Sequence, residues 1–315
     1  MSNAATEFRD ALARQVGRLV FGADSVCDAL AVALIVRGHV LVQGVPGVGK
    51  TLLARCLAAR LGGRVRRIQC TPDLMPADIL GVHMYRGADP GFEFLPGPLF
   101  AQVVLVDEIN RTGPRTQSAL LEAMEEGRVT IDRESYALPD EFLVIATQNP
   151  HEFEGTFPLP ESQLDRFLLR IDMVHPDRDS EMAVLEAYGE PGGARPDPGT
   201  LEPLPPGLLA EARQAAAQVR VSAPLRQYVL DLARASRERE RISLGLSTRG
   251  ALALLRCARV RAAIEAAEYV TPDHVKAIAR PVMAHRLGLT TDAELEGVTQ
   301  AGAVDDLLAS VQVPR

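Results

Sequence analysis

The sequence predicts an α/β domain built on a parallel, helix-covered sheet, followed by an all-helical domain. Short apolar segments alternate with segments of helical periodicity, at residues 40–43, 65–69, 103–106 and 142–146. Such alternation is typical of a parallel sheet with helices on its faces. Composition then changes at 189–207, which holds six prolines and five glycines. Beyond this segment, residues 208–287 show mostly helical periodicity, so a second, helical domain is expected.

The amino-terminal elements follow from local pattern. Residues 8–37 predict two helical segments, separated at Phe21-Gly22. The apolar segment 40–43 predicts a short buried strand that leads into a glycine-rich turn, and 51–61 predicts the helix after it. Gly62-Gly63 marks the end of that helix, because glycine is favoured just beyond a helix carboxyl terminus.

The middle of the chain predicts an insertion, a helix and a hairpin. Residues 71–99 are rich in proline and glycine with little helical period, which indicates an insertion. A helix is expected to begin at Pro114 and to end at Gly127. Residues 129–138 predict a hairpin, with strands at 129–131 and 136–138 and a turn between them.

Three regions follow from these elements. Residues 1–188 are predicted to form the α/β domain, 189–207 the linker, and 208–315 the helical domain. A chain of 315 residues is long enough for a core domain and a smaller second one, since chains longer than about 250 residues divide into domains.

Charge and composition favour some partners over others. The formal net charge is −7, and duplex-binding domains usually present a basic face, so nucleic acid is an unfavoured partner. No apolar stretch reaches the roughly 20 residues that span a bilayer, and no secretory segment begins the sequence. The four cysteines include no C-x-x-C pair. Together these features predict a soluble, reduced, cytoplasmic protein with no membrane span.

The strongest motif is a glycine-rich phosphate-binding loop of the form G-x-x-x-x-G-K-[ST]. Its residues, with the next helical position, are Gly44, Val45, Pro46, Gly47, Val48, Gly49, Lys50, Thr51 and Leu52. Glycines let backbone N–H groups wrap phosphates, and the following helix amino terminus favours negative charge. Lys50 can reach the β- and γ-phosphates and Thr51 can bind Mg²⁺. The motif therefore predicts ATP and Mg²⁺ as ligands.

Acidic residues follow the apolar strand at 103–106. Asp107 would lie on the Mg²⁺ side of the loop, and Glu108 would orient and polarise the attacking water. An apolar segment that ends in Asp-Glu is common in structural roles too. The order of the two motifs along the chain is what favours a catalytic pair.

A third strand, 142–146, leads to Thr147-Gln148-Asn149-Pro150. Ligands of open α/β sheets bind beyond the carboxyl ends of the strands, so Asn149 could contact the γ-phosphate or the water. Because Asn-Pro also begins turns, the pattern alone leaves both roles open.

The chain resembles the MoxR family of AAA+ ATPases. The segments that show this resemblance are 70–76, 107–111, 116–126, 146–150, 158–161 and 163–167, and more loosely 245–249. The resemblance implies a P-loop AAA+ core with a parallel five-stranded sheet between helices, followed by a small helical lid. It also implies that 71–99 is the helix-2 insertion of this clade, and that 129–138 is the hairpin before the first sensor.

The resemblance implies roles for three further residues. Asn149 would be the first sensor, which positions the water. Arg166 would be the arginine finger that reaches the nucleotide of a neighbouring subunit, although an arginine in an Asp-Arg-Phe turn is more often part of a local ion pair. Arg249 would be the second sensor, contacting the γ-phosphate of its own subunit. Direct roles for Asn110 and Arg111 are left open.

Together these residues predict Mg²⁺-dependent ATP hydrolysis, with Lys50, Glu108, Asn149 and Arg166 in catalysis and Thr51 and Asp107 on the metal. The resemblance implies a homo-oligomeric, hexameric ring that remodels or matures a protein client, with a partner containing a von Willebrand factor A domain. Two alternatives stay open, a DNA-dependent motor and an ATP-gated binding module with little turnover. DNA-stimulated, salt-sensitive activity would favour the first.

Overall fold

The computed structural model describes residues 3–45, 47–61, 65–85, 91–149, 155–189 and 196–314. The first nine strands are β1 Val40–Gly44, β2 Val65–Gln69, β3 Gly81–Tyr85, β4 Phe92–Pro96, β5 Val103–Asp107, β6 Arg128–Ile131, β7 Glu134–Ala137, β8 Leu143–Gln148 and β9 Leu169–Met173. The helices around them are α1 Ala4–Val16, α2 Asp24–Val36, α3 Lys50–Leu61, α4 Pro76–Leu80, α5 Pro114–Glu126, α6 Glu161–Leu164 and α7 Arg178–Tyr188.

The carboxyl-terminal part is mainly helical, as expected. It contains α8 Leu208–Gln218, α9 Ala223–Glu238, α10 Thr248–Ile264, α11 Pro272–Met283, α12 Thr291–Leu295 and α13 Gln300–Ser310, with a short antiparallel ribbon of β10 Ile242–Leu244 and β11 Gly288–Leu289. Among the described residues, no helix combines the length and apolar character that crossing a bilayer requires.

The central sheet has five parallel strands in the order β2-β5-β8-β1-β9. This confirms the predicted α/β class and the five-stranded sheet. Because β1, β8 and β5 are neighbours, the loops that follow these three strands meet at one edge of the sheet. That edge is where open α/β sheets bind their ligands.

Successive residues of the central strands enter different hydrophobic cores. Val103 and Leu105 of β5 pack in the core that contains α2 and α3, whereas Val104 and Val106 pack with α5 on the opposite face. Side chains of a strand alternate between its two faces, so a strand that is apolar at every position must be covered on both sides. The uninterrupted apolar character of this strand is thereby explained.

The predicted break in the amino-terminal helices is confirmed, since α1 ends at Val16 and α2 begins at Asp24. Asn3 caps α1, because its side chain accepts hydrogen bonds from two backbone N–H groups of the first turn. The helix buries Phe8 and Leu12. It packs against α2 and also against α8 and α10 of the carboxyl-terminal part.

The insertion at 71–99 has more regular structure than its composition predicts. It contains the one-turn helix α4 and the antiparallel hairpin β3–β4, with residues 86–90 outside the described part of the chain. The hairpin predicted at 129–138 is present as β6–β7, with a shorter turn than expected. Glu134 and Ser135 already belong to β7, so the turn is short. Asp132 in this turn has a positive φ of 55°, a conformation that Asp tolerates in tight turns.

These two hairpins contact each other through aromatic and polar side chains. Phe94 of β4 stacks on Tyr136 of β7, with ring centroids 4.0 Å apart. His83 of β3 is hydrogen-bonded through Nδ1 to Asp132 at 2.8 Å and through Nε2 to the Tyr136 hydroxyl at 3.0 Å. The two inserted hairpins therefore form one structural unit.

Candidate functional site

The glycine-rich loop has a backbone conformation that would be strained if its glycines were replaced by other residues. Gly47 and Gly49 have φ values of +89° and +88°, and among the described residues beyond their chain neighbours no heavy atom lies within 4 Å of an added Cβ at either position. Positive φ is accessible to glycine at little cost, and the open space beside both residues leaves room for a ligand. Pro46 lies outside the described residues.

Lys50 begins α3, and its ammonium group lies between the ends of two strands. Its Nζ donates to the Gly44 carbonyl of β1 at 2.5 Å and to the Gln148 carbonyl of β8 at 3.5 Å. The positive charge is therefore held at the carboxyl edge of the sheet, beside the glycine turn.

Asp107 lies opposite the first turn of α3. Its side chain is 6% exposed, and its Oδ2 lies 3.5 Å from the Thr51 hydroxyl and 2.7 Å from Nε of Arg67. Hydroxyl and carboxylate oxygens are the donors that Mg²⁺ uses in phosphate sites. The two residues predicted to hold the metal are thus within reach of one ion, and their chemistry fits it.

A buried threonine fixes the acidic pair. The Thr147 hydroxyl donates to Oδ1 of Asp107 at 3.2 Å and accepts the backbone N–H of Glu108 at 2.9 Å. Glu108 is in the left-handed region, with φ 58° and ψ 53°, which costs free energy for a residue with a Cβ. Sequence reasoning assigned Thr147 no role, although a polar residue in an otherwise apolar strand was a signal.

The Glu108 carboxylate projects from the sheet edge, and its side chain is 34% exposed. Its Oε2 accepts from Nε2 of Gln69 at 3.3 Å and from Nη1 of Arg111 at 3.4 Å. Both contacts are long, so the carboxylate keeps lone pairs for a water molecule. Gln69 and Arg111 were not predicted to contact Glu108.

Two asparagines lie near this edge. Asn149 follows β8 directly and is 8% exposed, and Asn110 lies in the 3₁₀ turn after Glu108 and is 3% exposed. The backbone carbonyl of Asn110 accepts from the Phe157 N–H at 2.6 Å. Asn149 is thus at the predicted edge, and its role as a sensor stays a prediction.

Arg166 and Arg249 contact the same carboxylate. Arg166 Nε donates to Oε2 of Glu125 at 2.8 Å, and Nη2 of Arg249 donates to Oε1 of Glu125. The Arg166 hydrogen bond, reinforced by the charge of Arg249, lowers the pKa of the Glu125 carboxyl. Residues from α5, the turn before β9 and the lid helix α10 therefore meet at one point.

The cavity beside the glycine turn is lined by other residues. It has a volume of about 420 Å³ and is bounded by Gly47, Gly49, Phe21, Leu185 and Tyr188 among others. Neither Arg166 nor Arg249 is among its described lining residues.

Arg249 lies beside Arg166 in the structure, and its expected contact with the nucleotide of its own subunit stays a prediction. A hydrogen bond of 3.0 Å from Ser247 to Asp165 ties the start of α10 to the turn that contains Arg166. The beginning of the lid helix is therefore held beside the arginine turn.

This fold and site define a class of protein. The glycine loop with Lys50, the acidic pair on the strand two places away, and the helical lid are the arrangement of a P-loop nucleoside triphosphatase of the AAA+ type.

Comparisons with known proteins agree. The family described as "ATPase family associated with various cellular activities (AAA)" matches residues 39–169, and the AAA lid domain matches 234–307. The chain is 37% identical to Chaperone MoxR1 of Mycobacterium tuberculosis, over 96% of this chain and 81% of that protein. It is 33% identical to Protein MoxR of Methylorubrum extorquens, over 97% of this chain and 95% of the relative.

A solved structure matches the whole fold. The crystal structure of a Cytophaga hutchinsonii protein assigned as an ATPase has a TM-score of 0.88 and 34% identity, covering 99% of this chain and 97% of the other. The chain belongs to the MoxR family of AAA+ ATPases. The predicted family, fold and ATPase activity are confirmed.

Proposed function

We propose that this ATPase is Mg²⁺-dependent, works as a homo-oligomeric ring, and uses ATP hydrolysis to remodel or mature a protein client. The first part is supported by the arrangement of Lys50, Thr51, Asp107 and Glu108 at one edge of the sheet. The ring is supported by the position of Arg166 and Arg249 at Glu125. The third is supported by the name and similarity of the chaperone relative.

In the proposed reaction each residue has a separate task. The loop amides and Lys50 hold the phosphates, and Glu108 aligns a water for in-line attack with help from Asn149. Thr51 and Asp107 would hold Mg²⁺, which when bound neutralises charge on the phosphate oxygens. Thr147 orients the carboxylate of Asp107 and holds the backbone of Glu108, since its hydroxyl donates to the first and accepts the N–H of the second.

The base of the nucleotide would enter the cavity beside the glycine turn. Phe21 and Tyr188 line this cavity, and their rings form an edge-to-face pair with centroids 6.3 Å apart. A mainly apolar cavity with aromatic walls suits a purine. The aliphatic residues Leu52, Val184 and Leu185 complete the wall.

The observation that supports the ring is that Arg166 and Arg249 meet at Glu125. Two guanidiniums on one exposed carboxylate form a cationic surface that fits a triphosphate presented by a second copy of the chain. We therefore assign both arginines to the nucleotide of the neighbouring subunit. Family resemblance favours a hexamer.

The client is proposed to meet the inserted hairpins. Tyr85 and Phe92 are 59% and 73% exposed on β3–β4, and exposed aromatic residues are common anchors in protein contacts. A partner with a von Willebrand factor A domain and a cytoplasmic location are part of the same proposal, on family resemblance. The net charge of −7 does not favour nucleic acid as the substrate.

Glu108→Gln tests the chemistry. The substitution keeps the size of the side chain and its contacts to Gln69 and Arg111 but removes the negative charge that polarises water. We expect turnover to fall by at least about 100-fold while a fluorescent ATP analogue binds with unchanged affinity. Turnover close to that of the unsubstituted protein would refute the assigned role.

Mixing two inactive variants tests the arrangement between subunits. Arg166→Ala retains an intact glycine loop, and Lys50→Ala retains an intact arginine turn, so mixed assemblies would contain some complete sites. We expect each variant alone to lose at least about 10³-fold in turnover and the mixture to recover part of it. If verified mixed assemblies stay inactive, Arg166 does not act between subunits.

A further inference from the structure

Asp165, the residue before Arg166, is bound to the lid at two points. Its Oδ1 accepts from Nε of Arg286 at 2.7 Å, and its Oδ2 accepts from the Ser247 hydroxyl at 3.0 Å. The Arg286 side chain is 3% exposed and that of Asp165 is 20% exposed. Both lid residues are more than 80 positions away along the chain, so this is a tertiary contact of the arginine turn.

Arg286 also holds the backbone of the turn. Its guanidinium donates to the carbonyls of Asp165 at 3.3 Å, Phe167 at 2.6 Å and Leu168 at 3.1 Å, and to the carbonyl of Val282 on α11. A buried charge is tolerated only when it is paired and hydrogen-bonded. The turn that contains Arg166 therefore cannot move away from the lid without breaking the ion pair of Arg286 with Asp165 and its hydrogen bonds to three carbonyls of the turn.

The second lid contact leads to Arg249. Ser247 caps α10, because its hydroxyl accepts the Gly250 N–H at 2.9 Å, and Arg249 lies in the first turn of the same helix. Arg249 and Arg166 then meet at Glu125. These contacts form a connected set that we call the arginine circuit. Asp165 is joined to Arg166 by the backbone and to the start of the helix of Arg249 through Ser247, and both arginines contact Glu125.

We propose that Asp165, held by Arg286 and Ser247, is a positioning residue that sets the spacing of Arg166 and Arg249 and aims both guanidiniums at the triphosphate of the neighbouring subunit. This rests on the proposed function, because it requires Arg166 to act between subunits. Asp165 touches no nucleotide and acts through the arginines. A displacement of about 1 Å in such a group can cost about 100-fold in rate.

Asp165→Asn in the full-length protein is the first test, with Asp305→Asn as the matched control. Asp305 also accepts two hydrogen bonds from a lid arginine, Arg280, at 2.7 and 2.5 Å, and it is not part of the arginine circuit. We expect Asp165→Asn to lower kcat by at least about tenfold while KM for ATP and binding of fluorescent ADP stay within about twofold. Asp305→Asn is expected to change neither.

Mixing separates positioning from a general defect. Lys50→Ala subunits have an intact arginine circuit. In mixed assemblies they therefore present a correctly placed Arg166 to the intact glycine loop of Asp165→Asn subunits. Turnover should then rise above the sum of the separate proteins. A kcat within about twofold of the unsubstituted protein, or a loss that Lys50→Ala does not restore, overturns the proposal.

Ser247→Ala decides the question if Asp165→Asn does not fold. It removes one hydroxyl that both caps α10 and binds Asp165, and Ser222→Ala, which removes the cap of α9 alone, is its control. We expect Ser247→Ala to lower kcat by about threefold or more and Ser222→Ala to leave it unchanged, and equal kcat values would overturn the proposal. If instead Arg166→Ala itself retains turnover, the proposed function has failed, and not the positioning role alone.

Discussion

At the scale of single residues, Thr147 shows how one hydroxyl can organise a catalytic edge. It occupies a position in β8 where the preceding residues are apolar and buried, and it is itself 1% exposed. Its hydroxyl donates to Asp107 and accepts from the N–H of Glu108. The left-handed backbone of Glu108 is therefore supported by a hydrogen bond from its N–H to the Thr147 hydroxyl.

Thr147→Val keeps the volume of the side chain and removes both hydrogen bonds. The N–H of Glu108 would lose its partner, at a cost of about 1–3 kcal/mol in the free energy of unfolding. We also expect kcat to fall by about tenfold or more, because the Asp107 carboxylate and the backbone of Glu108 are no longer fixed. Nucleotide binding by the glycine loop should be retained. Steady-state ATPase assays and chemical denaturation measure the two effects.

Thr112→Val is the matched control. Thr112 is also 1% exposed, and within the described residues its hydroxyl has no hydrogen-bond partner. Removing an unpaired buried hydroxyl should leave stability unchanged or raise it, with no effect on kcat. Equal losses in both variants would show that Thr147 has no special part in the site.

The residue scale also shows where sequence reasoning was sufficient. The glycine loop with Lys50 could be predicted because its residues are contiguous and their backbone chemistry is local. Asp107 and Glu108 could be predicted because they directly follow a recognisable strand. The contact of Arg249 could not be predicted, because it involves Glu125, which is 124 residues away along the chain.

At the scale of secondary-structure elements, His39 joins strands and a helix. It lies just before β1, and its Nδ1 accepts from the Val144 N–H of β8 while its Nε2 donates to the Met124 carbonyl of α5, both at 3.0 Å. Nδ1 can accept only when it carries no proton, so the folded protein requires the neutral imidazole. Burial accordingly lowers the pKa of His39 to about 4.

This predicts acid destabilisation with a defined direction. The folded pKa of His39 is below the ordinary value of 6.5, so the unfolded chain binds the proton more readily. The contribution to stability is complete above about pH 6.5 and is lost as the pH falls towards 4. It is at most about 3 kcal/mol. Buried His285, whose pKa is also lowered by burial, acts in the same direction.

His39→Gln tests this contribution, since an amide can accept and donate in place of the ring without titrating. Denaturation between pH 7 and 4 should show a shallower loss of stability for the variant than for the unsubstituted protein. Identical slopes for the two proteins would exclude His39 as a source of the acid sensitivity.

Elements were predicted with unequal success. Central strands and their helices were found because apolar segments and glycine signals are local. The segment 71–99 was predicted only as an insertion, and its hairpin is stabilised by Phe94 and His83, which contact Tyr136 of the next hairpin. Such mutual support between segments about 40–50 residues apart is not visible in local periodicity.

At the scale of the whole molecule, one hydrophobic core extends across the regions that composition separates. It contains Phe8 and Leu12 of α1, Leu30 of α2, and lid residues such as Leu232 and Leu254. Segment boundaries can be inferred from proline and glycine content, but which helix packs on which cannot. The pairing of α1 with α8 and α10 is therefore a result of the three-dimensional structure alone.

A shared core predicts that the α/β part and the lid unfold together. Leu12 of α1 is fully buried and belongs to this shared core, so Leu12→Ala should lower the free energy of unfolding by about 2–5 kcal/mol. Because α1 packs against α2 and α3 and also against α8 and α10 of the lid, the loss should move a single calorimetric transition to lower temperature. Leu230→Ala, at a position 45% exposed on α9, should move it little. Two resolved transitions, of which Leu12→Ala shifts one, would mean that the lid folds independently and that α1 serves only one side of the molecule.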